Sequence, residues 1–116
     1  MAEAKARARM IRISPRKVRL VADLVRGKRV PEALDMLSFT VKGAAPVLRK
    51  VLASAVANAE SKAAETNQRI DTDEMVVSKV LVNDGPTLYR MRTAPRRRAM
   101  RVRKRTCHID LMISGD

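Results

Sequence analysis

Residues 83–105, Asn-Asp-Gly-Pro-Thr-Leu-Tyr-Arg-Met-Arg-Thr-Ala-Pro-Arg-Arg-Arg-Ala-Met-Arg-Val-Arg-Lys-Arg, decide the fold of this chain. From 87 to 105 there are few large apolar residues and no acidic residue, so this stretch cannot cross a core as a buried strand. Asn83 to Pro86 carry strong turn chemistry and, taken alone, predict a tight hairpin. The whole stretch favours two strands that continue outward as an arm, with a bulge or bend at Gly85-Pro86 and the reversal near Pro95.

The segments on either side of the arm have strand character. From Met75 the pattern becomes that of a strand, and residues 107–114 alternate or run apolar, so the two segments can pair in one sheet. An arm of roughly nine residues per strand, each rising about 3.3 Å, would reach about 30 Å from the body. We expect it to be flexible in water, because an isolated two-stranded ribbon is only marginally stable.

Three helices are predicted before these strands. Ser14-Pro15 indicates a helix start with Ser14 as N-cap, and Gly27 indicates its end. A short second helix, 31–38, begins at Pro31, and a third covers about 43–65 with Pro46 in its first turn or at a kink. The residues predicted to face the core are Val18, Leu20, Val21, Ala22, Leu24, Val25, Ala33, Leu34, Leu37, Ala44, Leu48, Val51, Leu52, Ala55, Val56, Ala59 and Ala63.

An N-terminal strand completes the predicted elements. Residues 7–13 alternate loosely and indicate a strand with basic side chains on one face. Together the elements predict an α+β fold, with three helices packed on a small three-stranded antiparallel sheet and a long protruding β-hairpin at about 84–105. We expect one domain over 1–116, a length that buries a modest single core, and see no internal repeat.

The charge of the chain is large and unevenly placed. Lys and Arg total 25 against 12 acidic residues, which gives a net charge of +13. Residues 1–29 hold ten basic and two acidic side chains, 30–87 hold six and eight, and 88–116 hold nine and two. Because like charges repel in a compact state, two basic ends around a near-neutral centre indicate a polyanionic partner, and nucleic acid is the commonest one.

The basic ends supply the candidate RNA contacts. Near the C-terminus arginine dominates, and its planar guanidinium suits bidentate phosphate contact better than lysine does. The chain has only two aromatic rings, so phosphate and 2′-hydroxyl contacts with folded RNA are favoured over base stacking. Tyr89 has two open interpretations, stacking on one base or simple packing, and Phe39 is predicted to fill the core. The candidate rRNA-binding residues are Arg7, Arg9, Arg12, Arg16, Lys17, Arg19, Arg26, Lys28, Arg90, Arg92, Arg96, Arg97, Arg98, Arg101, Arg103, Lys104 and Arg105.

No catalytic, metal or cofactor site is predicted. Cys107 and His108 are the only cysteine and histidine, and adjacent strand residues point to opposite faces, which excludes a shared proton. The densest acidic cluster, Asp71, Asp73 and Glu74, has no histidine nearby and is interpreted as solvated charge. The chain has no glycine-rich phosphate loop, and no apolar run long enough for a membrane span or signal peptide. We therefore expect an intracellular protein.

Four motifs resemble one known family. They are Ser14 to Gly27 (SPRKVRLVADLVRG), Val51 to Glu60 (VLASAVANAE), the Asp84-Gly85-Pro86 turn, and Lys104 to Ile109 (KRTCHI). In this order and over nearly the whole chain, they resemble the ribosomal protein L22 family of the large subunit, in its bacterial or organellar form.

The resemblance implies a structural role in the ribosome. In that family a compact α+β body binds large-subunit rRNA early in assembly, near the mouth of the nascent-peptide exit tunnel. A long hairpin helps to line the tunnel, and changes at its tip alter macrolide sensitivity. For this chain the resemblance implies large-subunit rRNA, other large-subunit ribosomal proteins and the nascent peptide as partners, with a cytoplasmic or organellar ribosomal location. The tunnel-lining tip would be Arg92, Thr93, Ala94, Pro95, Arg96 and Arg97.

The sequence departs from the family pattern at three places. The family tip usually reads Pro-Arg-Ala, one variable residue, then Gly-Arg-Ala, whereas this chain has Thr93 to Ala99 there, with Arg97 in the glycine's place. Cys107 replaces a usual serine, and Pro46 is also unexpected.

Two other classes of protein are alternatives. A histone-like DNA-architectural protein also joins a helical body to basic β-arms, and Pro95 would then be the wedge between base steps. Those proteins dimerise, whereas we expect this chain not to form a homo-oligomer. An enzyme acting on RNA would have to depend on His108.

Overall fold

The computed structural model describes residues 2–67 and 69–115, with backbone only for Ala2, Ala94, Arg97 and Arg98. The strands are β1 (Ala2–Ile11), β2 (Val76–Asp84), β3 (Leu88–Ala94), β4 (Arg98–Lys104) and β5 (Cys107–Gly115). The helices are α1 (Pro15–Val25), α2 (Val30–Phe39) and α3 (Ala44–Thr66), with short 3₁₀ turns at Thr72–Glu74 and Pro95–Arg97. In the described part of the chain this confirms the α+β fold of three helices, a three-stranded antiparallel sheet and a β-hairpin.

The body sheet has the order β1-β5-β2, with β5 antiparallel to both neighbours. The predicted pairing of the two apolar C-terminal segments is confirmed, because the β2–β5 ladder runs from Val76–Ser114 to Asp84–Cys107. Side chains alternate between the faces of a strand. Every second residue of β5, from Cys107 to Ile113, is therefore buried against the helices.

The helices cover that face and form the core with it. The α3 side chains Leu48 and Leu52 are fully buried, and α3 lies along β1, where Ala4 and Ala6 face inward. Small side chains on both elements let their backbones approach closely. Pro46 lies in the first turn of α3, as predicted, where its missing N–H breaks no helical hydrogen bond.

Helix α1 begins and ends close to the residues that the sequence indicated, Ser14-Pro15 and Gly27. The helix begins at Pro15, and the Ser14 carbonyl accepts hydrogen bonds from the N–H groups of Lys17 and Val18 at 3.1 and 3.2 Å. It ends at Val25, and Gly27 follows with φ 83°, a left-handed conformation that glycine adopts without a Cβ penalty.

Three predictions about individual segments are wrong. β1 covers 2–11, not 7–13, because its inward alanines pack closely on α3 although alanine has little strand propensity. Leu20 and Leu24 lie on the outer face of α1, 61% and 46% exposed. Phe39 does not fill the core, since it is the last residue of α2 and its side chain is 84% exposed.

Both edges of the body sheet have partners. On the β2 side, backbone hydrogen bonds of 2.8 to 2.9 Å join residues 27–30 to Met75 and Val77. On the β1 side, the Asn58 side-chain amide donates to the Lys5 carbonyl at 2.8 Å, and Lys62 Nζ reaches the Glu3 carbonyl at 3.4 Å. These contacts occupy backbone groups that otherwise recruit strands from other chains.

The arm is a continuation of the β2 and β5 strands. Its β3–β4 ladder runs from Leu88–Lys104 to Ala94–Arg98 and gives the chain extents of 66 × 27 × 15 Å. At its base the Gly85 N–H donates to the Thr106 carbonyl at 3.0 Å, and the buried Thr106 hydroxyl donates to the Pro86 carbonyl. The bend at Gly85-Pro86 and the reversal at Pro95 thus lie where the sequence predicted them.

Candidate nucleic-acid interface

A concave, basic surface lies where the start of α1 meets the base of the arm. We call it the basic cleft; its volume is about 390 Å³ and its lining residues are Arg12, Ser14, Lys17, Arg103, Lys104 and Arg105. Five of these six side chains are cationic and none is acidic, although they come from separate parts of the chain. Like charges brought together by the fold repel one another, and phosphate groups in the cleft would remove that repulsion.

A second depression adjoins the basic cleft, since Ser14 and Arg105 line both. Its volume is about 550 Å³, and it adds Arg16, Arg19 and one acidic residue, Asp84. The Asp84 carboxylate lies 3.3 Å from the Arg19 guanidinium, so its charge is compensated within the protein. The cationic surface therefore continues from the basic cleft along the start of α1.

Three of the predicted RNA-binding arginines also hold the fold together. The Arg19 guanidinium donates to the Val82 carbonyl from Nε at 3.2 Å and from Nη2 at 3.0 Å, which fixes α1 on β2. Arg26 Nη2 donates to the Val80 carbonyl at 2.7 Å, and Arg7 pairs with Asp110 at 3.4 Å. Each of these guanidinium groups therefore already uses part of its donors within the protein, and its RNA contacts remain a prediction.

The arm presents cations on both of its faces. The register places Tyr89 and Met91 on one face with Arg101 and Arg103, whereas Arg90, Arg92, Met100 and Lys104 are on the other. The Arg101 guanidinium lies 4.6 Å from the centre of the Tyr89 ring, within the range of a cation–π contact. This contact packs Tyr89 within the arm while leaving the residue 49% exposed.

The other predicted residues lie apart from the basic cleft. Arg9 is exposed beside His108 on the open face of the sheet, and Lys28 is exposed in the α1–α2 connection. At the arm tip Thr93, Pro95 and Arg96 are exposed, and Arg96 has φ 63°. The side chains of Ala94, Arg97 and Arg98 lie outside the described part of the structure. Ser14, which lines the cleft, was not among the predicted residues because its sequence signal is that of a helix cap.

Cys107 and His108 lie on opposite faces of β5, as the sequence predicted. Cys107 is buried on the core face of β5, and burial raises the pKa of its thiol, so the reactive thiolate is disfavoured. His108 faces the other side, where Nδ1 accepts a hydrogen bond from the Met10 N–H at 3.2 Å. Within 2–67 and 69–115, no three His, Cys, Asp or Glu side chains are placed to hold a metal ion. In the same ranges no helix is long and apolar enough to cross a membrane.

Comparisons with known proteins agree with this architecture. The family model described as Ribosomal protein L22p/L17e matches residues 6–114, a range that contains the basic cleft and the whole arm. The large ribosomal subunit protein uL22 of Oceanobacillus iheyensis is 50% identical over 112 residues, which are 97% of this chain and 95% of that protein. Matches of this extent include both the body and the arm, and the chain therefore belongs to the ribosomal protein L22p/L17e family.

Proposed function

We propose that the chain is a structural, non-enzymatic constituent of the large ribosomal subunit that acts as one domain to bind and organise large-subunit rRNA. The observation that carries this proposal is the basic cleft, where five cationic side chains surround a depression that has no acidic lining residue. Its shape and charge suit the phosphates of a folded RNA backbone. Other large-subunit ribosomal proteins are the expected neighbours, in a cytoplasmic or organellar ribosome.

The position of the basic cleft also gives it an organising role. Arg12 and Lys17 belong to the body, whereas Arg103 and Lys104 belong to the arm, so one bound RNA segment contacts both. Without RNA, these cations repel one another, and the free two-stranded arm is marginally stable. With phosphates in the cleft the repulsion becomes attraction, which fixes the direction of the arm relative to the body.

The second part of the proposal concerns the arm tip. We infer that the arm extends into the nascent-peptide exit tunnel, where Arg92, Thr93, Ala94, Pro95, Arg96 and Arg97 line the wall and meet the growing peptide. The length of the arm supports this, since its ladder consists of seven residue pairs, from Leu88–Lys104 to Ala94–Arg98. Its cationic faces suit a passage whose walls are RNA.

Deletion of residues 93–98 should separate the two parts of the proposal. The body should remain folded, since the described side chains of that range, Thr93, Pro95 and Arg96, are exposed, and the basic cleft stays intact. We expect the shortened protein to sediment with large subunits through a high-salt wash as the full chain does. Cells that carry it should show an altered response to macrolides.

The outcomes of this deletion are distinct. Loss of folding in the isolated shortened protein would mean that the tip belongs to the core. Normal sedimentation with an unchanged macrolide response would contradict the tunnel position alone. If even the full chain is removed by the high-salt wash, the rRNA-binding proposal itself fails.

A further inference from the structure

Phe39 is an aromatic residue that the core does not use. The chain has one Phe, one Tyr and no Trp, and its described core consists of aliphatic residues with one Met, one Cys and one Thr. Phe39 is 84% exposed, and Val41, two residues further on, is 96% exposed. Single exposed apolar residues are common, but here the only Phe of the chain lies outside the core beside a second exposed apolar side chain.

The chain that follows Phe39 is cationic, whereas the exposed Asp35, one helical turn before it on α2, is acidic. Between Asp35 and Glu60 the chain has three basic residues, Lys42, Arg49 and Lys50, and no acidic residue. The larger segment 30–87 has a net charge of −2, from six basic and eight acidic residues. The connection after α2 and the first part of α3 therefore form a local positive region in the otherwise acidic centre of the chain.

A groove lies beside this region, between the end of α2 and the first half of α3. Its volume is about 620 Å³, and its lining residues are Leu34, Leu37, Ser38, Thr40, Pro46, Arg49, Lys50 and Ala53. The Ser38 and Thr40 hydroxyls donate to the carbonyls of Leu34 and Met36 at 2.9 and 2.6 Å, so their hydrogens are already used within α2. The lining of the groove is therefore half apolar and includes two cationic side chains, Arg49 and Lys50.

An exposed aromatic ring together with cationic side chains is the combination that binds a nucleotide. A nucleobase presents a flat face that stacks on an aromatic ring, and its flanking phosphates bind cations. An apolar peptide would match the floor of the groove but would leave Arg49 and Lys50 without opposite charges. The charge pattern therefore favours RNA over an apolar peptide at this surface.

We propose that Phe39, together with Val41, is a stacking surface for an unpaired base of large-subunit rRNA, with the flanking phosphates on Lys42, Arg49 and Lys50. This inference rests on the proposed rRNA binding and adds a second contact, made by α2 and α3 instead of the basic cleft. It assigns a role to the one aromatic residue that the fold leaves unused.

The test compares Phe39→Leu with Phe39→Tyr in the full chain. Leucine keeps the apolar character and removes the ring face, whereas tyrosine keeps the ring. The probe is large-subunit rRNA transcribed in vitro, and affinity is measured by filter binding over a series of salt concentrations. Because stacking on one base contributes a substantial part of single-strand affinity, we expect Phe39→Leu to bind roughly fivefold to tenfold more weakly. Phe39→Tyr should bind within about twofold of the wild type, and both should keep its salt slope because no phosphate contact is lost.

Photochemical cross-linking supplies a second measurement. Cleavage after Arg29 and Lys42 releases a peptide of residues 30–42 that contains Phe39. In the complex with rRNA this peptide should carry a cross-linked nucleotide in the wild type and in Phe39→Tyr, and much less of it in Phe39→Leu.

The outcomes distinguish this inference from the proposed function. If the wild type binds rRNA and Phe39→Leu matches it in affinity and cross-linking, the stacking surface is refuted while the basic cleft stands. If residues 30–42 cross-link to another ribosomal protein in assembled subunits and not to RNA, the occupant is a protein and the inference is equally refuted. Failure of the wild type to bind rRNA would refute the proposed function as well.

Discussion

Replacing Gly85 with alanine is expected to lower the free energy of unfolding by about 2 kcal/mol, within the range for overpacking a tightly packed site. A Cβ atom at this position would lie 2.6 Å from the Thr106 hydroxyl oxygen and 3.3 Å from the Thr106 carbonyl carbon. Neither group can move away easily, because Thr106 is buried and its carbonyl accepts the Gly85 N–H at 3.0 Å. The base of the arm is therefore the place where a single methyl group has the largest predicted effect.

Gly43→Ala is the matched control for this change. A Cβ atom at Gly43 would contact nothing within 4 Å, and the residue has φ −62°, which alanine adopts freely. We expect this variant to be neutral or slightly more stable than the wild type, because alanine restricts the unfolded chain. Urea unfolding of the two variants measures the difference. Equal stabilities would mean that the strands do not pack closely at Gly85.

The double variant Arg103→Ala, Lys104→Ala is expected to weaken binding to large-subunit rRNA at least tenfold at moderate salt. Both side chains line the basic cleft, and a hydrogen bond to a charged group contributes about 1.5–3 kcal/mol. Loss of two phosphate contacts should also reduce the slope of log affinity against log salt by roughly 1.5 to 2. The slope is the more specific readout, since it counts phosphates directly.

The double variant Lys62→Ala, Arg69→Ala removes the same charge from exposed positions outside the basic cleft. It should leave the salt slope within about half a unit of the wild type, because net charge alone does not place a cation on a phosphate. If both double variants lose affinity and slope equally, RNA binding follows total charge, and the basic cleft has no special role.

Local signals made the helices predictable. Pro15 at the start of α1 and the left-handed Gly27 after its end mark this helix by their own backbone preferences, although the Ser14 side chain makes no capping hydrogen bond. Pro46 fits the first turn of α3 for the same reason. The start of β1 was not predictable in the same way. Ala4 and Ala6 have little strand propensity, and they form a strand because α3 packs closely on them.

The role of each side chain depended on tertiary contacts. The periodicity grouped Leu20 and Leu24 with the core of α1, yet only one face of that helix meets β2 and α3. The basic residues formed one set in the sequence, but the structure divides them. Arg19 and Arg26 bind carbonyls of β2, whereas Lys17 lines the basic cleft, and this division depends on how α1 lies across the strand.

The backbone conformation of the arm tip was also not predictable from the sequence. The family pattern placed the departure at Arg97, in the position of a glycine. In the structure Arg96 has a positive φ of 63°, a backbone conformation that residues other than glycine rarely adopt. A three-residue loop between Ala94 and Arg98 sets this requirement, and the loop length follows from the β3–β4 register.

The most direct test of the central claim compares two polyanions at matched salt. Large-subunit rRNA and a DNA duplex of equal phosphate content compete for the chain of residues 1–116, whose mass is measured by sedimentation. We predict a monomer that prefers the folded rRNA, with the preference lost in the Arg103→Ala, Lys104→Ala variant. A dimer that binds the duplex equally well or better would contradict this account and identify a DNA-architectural protein.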